Sequence, residues 1–285
     1  MRKILVPIRG DGRGEGVIRH AAAIGRAHHA HIVVLHCRTR AADMIPRGMV
    51  VPQVLREQIL RQAEGLANAE EGHLQDKLTA LCGALGAEIV ADGAPHPDGL
   101  CVTWHEEAGK QANLISLHGR LADLVVVSKP DRDRNLGVNS LNSAIFETGR
   151  PVLLCPSTEP IPTVLGRHVA IAWNGTVEVA RAVALSLSVI ASADTVTILD
   201  GGAEHPVTSA KALASYLLHR GIKAKIIAIS ASDDPGPTIL GAVHDVGADL
   251  LIMGAYGHSR TRETVLGGAT QFVVDTTACP VLMVH

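Results

Sequence analysis

The sequence predicts an α/β fold made of two lobes, each with a five-stranded parallel sheet covered by helices on both faces. Three observations predict it. The apolar runs are continuous rather than alternating, which is typical of parallel strands that are buried on both sides. Segments with the 3-and-4 spacing of a helix lie between these runs, and the whole pattern occurs twice in the same order. Because 47% of the residues are hydrophobic and only 2% are aromatic, aliphatic side chains must form the cores.

The second half of the chain shows the alternation most clearly. Its predicted strands are 168–173, 195–199, 224–229, 249–253 and 280–285. The helix after the second strand is predicted to have Thr208 as its cap and to stop at Gly221. The next helix is predicted to begin at Pro235, with Asp234 as its cap. A last helix around 270–275 completes the order β-α-β-α-β-α-β-α-β.

The first half repeats this order and adds to it. Four pairs of segments match: 2–8 with 167–173, 31–37 with 194–200, 122–128 with 248–254, and 150–156 with 279–285. These matches predict a duplication, with one domain at 1–158 and another at 159–285. The proline-containing segment "STEPIPTVLG" is interpreted as the linker. The first half also carries an insertion at 38–53, followed by a long helix to about Leu85.

The last predicted strand of each domain would leave a bare sheet edge. Because such an edge needs cover, we expect the domains to pack edge to edge through these strands as an intramolecular pseudo-dimer. The sequence leaves open whether two such chains pair further as a homodimer.

Composition restricts the partners and the compartment. The chain has 26 Lys and Arg against 28 Asp and Glu, a formal net charge of −2, which gives no electrostatic case for nucleic acid or an anionic membrane. Its five cysteines are widely spaced without a CxxC pair, as expected for buried thiols in a reducing compartment. No stretch is apolar enough to span a bilayer, and the N-terminal residues enter a strand pattern directly. We therefore expect a soluble, cytoplasmic protein.

The stretch "MGAYGHSRTRETVLGGATQFV" at 253–273 is the clearest candidate site. Gly254, Gly257 and Gly267 follow the spacing G-x2-G-x9-G after a predicted strand. Backbone amides in such a turn can hold a phosphate at a helix N-terminus, and His258 and Arg260 add positive charge. The alternative is that the glycines permit positive φ and close helix packing, without a ligand.

These features resemble those of the universal stress protein family in its tandem two-domain form. The family loop reads G-x2-G-x9-G-[S/T], and "ACPVLMV" and "AWNGT" are similar to its closing strand and to its first strand end. The resemblance implies a Rossmann-like, adenine nucleotide alpha-hydrolase-like fold with strand order 3-2-1-4-5 in each lobe. It also implies ATP or another adenine nucleotide at the carboxyl ends of strands 1 and 4, although some family members bind none.

The predicted nucleotide site lies in the second lobe and departs from the family pattern. Its candidate residues are Asn174, Asp200, Gly254, Gly257, His258, Arg260, Gly267, Gly268 and Thr270. Gly268 stands where the family has a hydroxyl, and Asn174 stands where many members have an Asp. Asn174 could instead serve a turn and a helix cap, and Asp200 could close its strand rather than contact a ribose. The first lobe lacks the glycine loop, so we expect it to have lost nucleotide binding.

The sequence shows no catalytic motif and no structural zinc site, and its histidines are expected to form a solvated cluster that binds metal weakly. His28, His29 and His31 do not share a face, and His36 and His105 lie far off without ligand spacing. No nucleophile elbow, triad or Walker loop is present. The expected role is regulatory or protective in a stress response. The alternatives are a nucleotide-independent interaction protein and, less favoured, an adenine nucleotide hydrolase that would depend on His258 and Glu263.

Overall fold

The computed structural model of the chain describes residues 1–8, 12–38, 53–94, 98–134, 136–203, 205–229, 234–257 and 268–285. Within these ranges, eleven strands form one continuous sheet with helices on both faces. The strands and helices alternate along the chain, which is the α/β architecture that the apolar runs predict.

The first lobe contains the strands β1 to β6 and the helices α1 to α4. In chain order these are β1 (Lys3–Ile8), α1 (Gly14–Gly25), β2 (His31–Arg38), α2 (Gln53–Leu85), β3 (Glu88–Ile89), β4 (Cys101–Ala108), α3 (Gln111–Gly119), β5 (Leu124–Ser128), α4 (Val138–Glu147) and β6 (Val152–Cys155). The two-residue strand β3 was not predicted, because both of its residues are exposed and form no apolar run. The long helix ends at Leu85, as expected.

The second lobe repeats this arrangement without the insertion. In chain order its elements are β7 (His168–Trp173), α5 (Val177–Leu185), α6 (Leu187–Ser192), β8 (Thr195–Asp200), α7 (Ala210–Leu218), β9 (Ala224–Ala228), α8 (Pro235–Asp245), β10 (Leu250–Gly254), α9 (Gly268–Thr276) and β11 (Val281–Val284). The cap of α7 is Ser209, whose Oγ accepts a hydrogen bond from Ala212 N, so the predicted cap at Thr208 is wrong by one residue. Thr208 belongs to a short 3-10 turn that precedes it.

The sheet confirms the predicted strand order and joins the lobes. Its order is β3-β4-β2-β1-β5-β6-β11-β10-β7-β8-β9, which is 3-2-1-4-5 in each lobe once the additional β3 is set aside. Neighbours within a lobe are parallel, whereas β6 and β11 pair antiparallel, with Leu282 opposite Leu153. The last strands therefore cover each other's edges, as the sequence predicts.

Aliphatic side chains fill the space between the sheet and the helices on each face. One buried cluster includes Ile4, Leu153, Ile171 and Leu282, and so extends across both lobes. A second cluster on the other face also includes residues of both lobes. Since strand side chains alternate between faces, the shared sheet gives the two lobes a common core on each side.

Burial also affects the thiols of the cysteines. Four of the five cysteines are buried, and burial raises the pKa of Cys82 to about 11 and that of Cys279 to about 12. These thiols stay protonated near neutral pH and are poor nucleophiles.

In the part of the chain that the structure describes, no helix combines the length and the apolar character needed to cross a bilayer.

Candidate functional site

The candidate site lies where the strand order of the second lobe reverses. The chain runs outward from β7 to β8 and β9, then crosses to β10 on the other side of β7. In open α/β sheets, the carboxyl ends of strands at such a switch point form a crevice that binds ligands. Ile252 of β10 is level with Ile171 of β7, so Gly254 and Asn174 follow at the same edge.

The first two glycines of the loop are required for close approach to helix α5. A Cβ added to Gly254 would lie 2.7 Å from the backbone N of Val179, and one added to Gly257 would lie 2.6 Å from Oε2 of Glu178. Neither glycine has a positive φ, so the interpretation that they permit left-handed backbone is wrong. The residue with positive φ here is Tyr256, at 55°. A side chain at position 254 would therefore collide with the backbone of α5, whereas one at position 257 would meet the flexible end of the Glu178 side chain.

Glu178 is a further candidate residue of this site, which the sequence analysis missed. It lies in the first turn of α5, and its carboxylate rests against Gly257, where the resemblance places phosphate. Acidic residues are common in the first turn of helices because they complement the helix dipole. A glutamate at the start of a helix does not by itself indicate a binding site. Only the fold shows that the carboxylate of Glu178 faces the glycine loop.

Asn174 and Asp200 lie at the edge of the sheet but are engaged in turns. Oδ1 of Asn174 accepts a hydrogen bond from Thr176 N at 3.3 Å, and Oδ1 of Asp200 accepts one from Gly202 N at 3.1 Å. Asp200 pairs with Trp173 across the two strands, and Asn174 is the next residue after Trp173. Asn174 and Asp200 therefore lie close to each other at this edge. The structure shows the local turn role for each of them, and it brings both to the mouth of the crevice.

Helix α9 completes the described part of the site. Its first residue, Gly268, is exposed, and a Cβ added there would meet no heavy atom of the described residues within 4 Å. Thr270 is buried, and its Oγ1 accepts a hydrogen bond from Tyr256 N at 3.3 Å. This bond ties the start of the loop to the helix that follows it. The predicted site residues His258, Arg260 and Gly267 lie outside the described residues.

The loop also contacts the first lobe. The ring of Tyr256 lies 5.1 Å from the ring of Phe146 in α4, and Phe146 meets His285 edge-on at 4.9 Å. Nδ1 of His285 donates to the carbonyl oxygen of Ala255 at 3.1 Å. Burial raises the pKa of the Tyr256 phenol, which stays neutral. The conformation at Tyr256 is thus stabilised from both lobes.

The equivalent position of the first lobe is closed by a salt bridge. Asp131 follows β5 and pairs with Arg13 at the start of α1, and Nη1 of Arg13 donates to the carbonyl oxygen of Lys129 at 3.0 Å. Asp131 is only 16% exposed, and its backbone bridges to Leu136. Arg132 reaches the second lobe and pairs with Asp275 at 2.8 Å. Asp131 and Arg132 of this charged segment are therefore paired, although the side chain of Arg132 stays 60% exposed.

Comparisons with known proteins agree with this geometry. A model of the universal stress protein family matches residues 166–285. A universal stress protein from Archaeoglobus fulgidus DSM 4304 superposes with a TM-score of 0.68 at 14% identity, over 99% of this chain and 95% of that one. A putative universal stress protein from Pseudomonas aeruginosa UCBPP-PA14 superposes with a TM-score of 0.58 at 15% identity, over 100% of this chain and 93% of that one. A search of curated proteins finds no match. The chain therefore has the same fold as these universal stress proteins over its whole length, and its residues 166–285 match the model of the universal stress protein family.

Proposed function

We propose that the chain is a cytoplasmic tandem universal stress protein whose second lobe binds ATP or another adenine nucleotide, in a regulatory or protective role rather than in turnover. The observation that supports this most is the position of Gly254 and Gly257. They follow β10 at the switch point of the second sheet, and helix α9 begins after the same loop. This is where an open α/β sheet binds its ligand.

The chemistry of the edge suits a nucleotide. The N-terminus of α9 presents backbone N–H groups and the positive end of a helix dipole, which favour phosphate. Asn174 and Asp200 each use one oxygen in a turn, so their remaining polar atoms could meet a base and a ribose. His258 and Arg260 would add positive charge to the phosphates.

Two features of this chain oppose tight binding. Gly268 lacks the hydroxyl that the family pattern has there, and a lost hydrogen bond to a charged group costs about 1.5–3 kcal/mol, or ~10–100-fold in affinity. The carboxylate of Glu178 lies against Gly257 and would repel a phosphate. Because Glu178 is only partly buried, its side chain can turn away when a nucleotide binds. We therefore expect weak binding.

Titration calorimetry with ATP at one salt concentration tests this function. Gly268→Ser should strengthen binding by up to ~100-fold, because the hydroxyl is restored and no atom of the described residues lies within 4 Å of an added Cβ. Glu178→Gln should strengthen it by removing the opposed charge. Gly257→Val should abolish it, because the added side chain fills the space beside the loop. Gly241→Ser is the matched control, since Gly241 is also a helical glycine with open space around its Cα.

The outcomes separate this function from its rival. An unchanged affinity in Gly257→Val would show that the loop is not the site. If neither the wild type nor Gly268→Ser produces heat, the protein works without nucleotide, as an interaction protein. Mass spectrometry of small molecules released from the purified protein gives an independent reading of the same question.

A further inference from the structure

A cluster of two histidines and a glutamate lies on the first lobe, apart from the glycine loop. His105 and Glu107 are two residues apart on β4, so their side chains point to the same face of the sheet. His118 stands in the last turn of α3, which packs on that face. Nε2 of His118 lies 2.7 Å from Oε2 of Glu107, and Nε2 of His105 lies 3.7 Å from the same oxygen.

A fourth residue orients one of the histidines. Nδ1 of His105 lies 3.1 Å from Oδ2 of Asp92, which leaves Nε2 directed at Glu107. A carboxylate that holds one ring nitrogen while the other binds a metal is the usual second contact of a metal-bound histidine. The pair His105–Asp92 has this arrangement already.

We propose that His105, Glu107 and His118 form a binding site for a divalent transition-metal ion of the zinc type. One ligand atom from each of the three residues lies within 4.8 Å of the others. Ligands of a tetrahedral zinc ion, at bond lengths of 2.0–2.1 Å, lie about 3.3 Å apart. The separations of 2.7 and 3.7 Å from Glu107 to the two histidines bracket that value, and all three ligand atoms lie within 4.8 Å of one another, so small side-chain movements would admit the ion.

The ligand types and exposure indicate which ion would bind and how. Two imidazoles and one carboxylate suit zinc and its neighbours, whereas magnesium and calcium prefer oxygen ligands. The side chains of His105, Glu107 and His118 are 30%, 42% and 29% exposed. Solvent can therefore supply the remaining ligand, and the ion can enter without unfolding of the lobe.

The alternative is a surface ion pair between His118 and Glu107. Exposed ion pairs contribute little to stability, with a median of about 0–1 kcal/mol. That alternative accounts for the contact at 2.7 Å, and the contact with Asp92 orients His105, but neither requires both imidazoles to converge on one carboxylate. The metal site explains all of these contacts together. The proposed metal site lies on β4 and α3, away from the proposed nucleotide site at β7 and β10. Each proposal can therefore be tested independently of the other.

The test uses the full chain, stripped of metal by a chelator and titrated with Zn²⁺ against a chromophoric competitor. We expect one equivalent of Zn²⁺ to bind, and an excess of Mg²⁺ not to displace it. His118→Ala and Glu107→Gln should each weaken this binding by at least ~10-fold, since each removes a ligand. His219→Ala is the matched control, because His219 is an exposed histidine at the end of α7, and it should bind like the wild type.

Asp92→Asn provides a variant that keeps all three ligands. Asp92 is 71% exposed, so its replacement leaves the fold intact and should still weaken Zn²⁺ binding by ~10-fold. Circular dichroism without metal checks that each variant is folded. If the wild type binds no Zn²⁺, or if His118→Ala and Asp92→Asn bind it as tightly as His219→Ala does, the proposal is wrong. A crystal soaked in Zn²⁺ should show anomalous scattering between these three side chains.

Discussion

At the residue scale, two glycines of one loop have different tasks. Gly254 touches the backbone of α5, where nothing can yield, while Gly257 touches the flexible end of Glu178. We expect Gly254→Ala to lower the free energy of unfolding by about 1–3 kcal/mol, because it overpacks a rigid contact. Gly268→Ala, where an added Cβ meets no atom of the described residues, should leave it unchanged or raise it by up to about 1 kcal/mol. Urea denaturation of both variants measures the difference, and equal stabilities would contradict the assignment.

The same loop shows which features of single residues can be predicted from the sequence. Spacing alone placed Gly254 and Gly257 after a strand, at the correct edge of the sheet. It suggested positive φ, which belongs instead to Tyr256. Spacing could not show which atoms would face the glycines, because Glu178 is 76 residues away from Gly254 in the chain and meets it only through the pairing of β7 with β10. Long-range contacts of this kind leave no local pattern.

At the element scale, the strands were the most predictable parts. The run 168–173 is the strand His168–Trp173 itself, because a central parallel strand is apolar along its whole length. The edge strand Glu88–Ile89 escaped prediction because it is short and exposed, and α7 begins one residue later than predicted because Ser209 is the cap. Capping depends on the rotamer of one side chain. Because Thr208 and Ser209 both carry a hydroxyl group, the sequence alone does not show which of them is the cap.

The segment after β5 supports the expectation that the first lobe does not bind a nucleotide. The carboxylate of Asp131 and the guanidinium of Arg13 lie between β5 and the start of α1, which corresponds to the position of the loop in the second lobe. Pro130 lacks an N–H and cannot donate to a phosphate. We therefore expect one ATP per chain, not two, in the calorimetric titration of the Gly268→Ser protein. A stoichiometry of two, or residual binding in the double variant Gly257→Val, Gly268→Ser, would show that the first lobe also binds.

At the scale of the whole molecule, the antiparallel pairing of β6 with β11 makes one sheet out of two. The edge strands were predictable because each lobe ends in a short apolar run that would otherwise stay bare. The side-chain contacts across the join were not predictable from either half alone. Lys129 and Arg132 of the first lobe reach Thr277 and Asp275 of the second. These contacts place the C-terminal end of helix α9 beside the segment that follows β5 in the first lobe.

Phe146 provides a test of whether the first lobe supports the site in the second. Its ring packs against Tyr256 and His285, and Tyr256 holds a left-handed backbone conformation that costs energy without such support. We expect Phe146→Ala to lower the free energy of unfolding by about 1–3 kcal/mol. It should also weaken ATP binding severalfold, because the start of the loop is no longer held. Leu121→Ala is the control, since Leu121 is 77% exposed in the same lobe and should change neither quantity. Calorimetry on the Gly268→Ser background makes the change measurable. A loss of stability in Phe146→Ala with an unchanged affinity for ATP would mean that contacts within the second lobe, from Thr270 and His285, are enough to hold the start of the loop and that the first lobe contributes only to the fold.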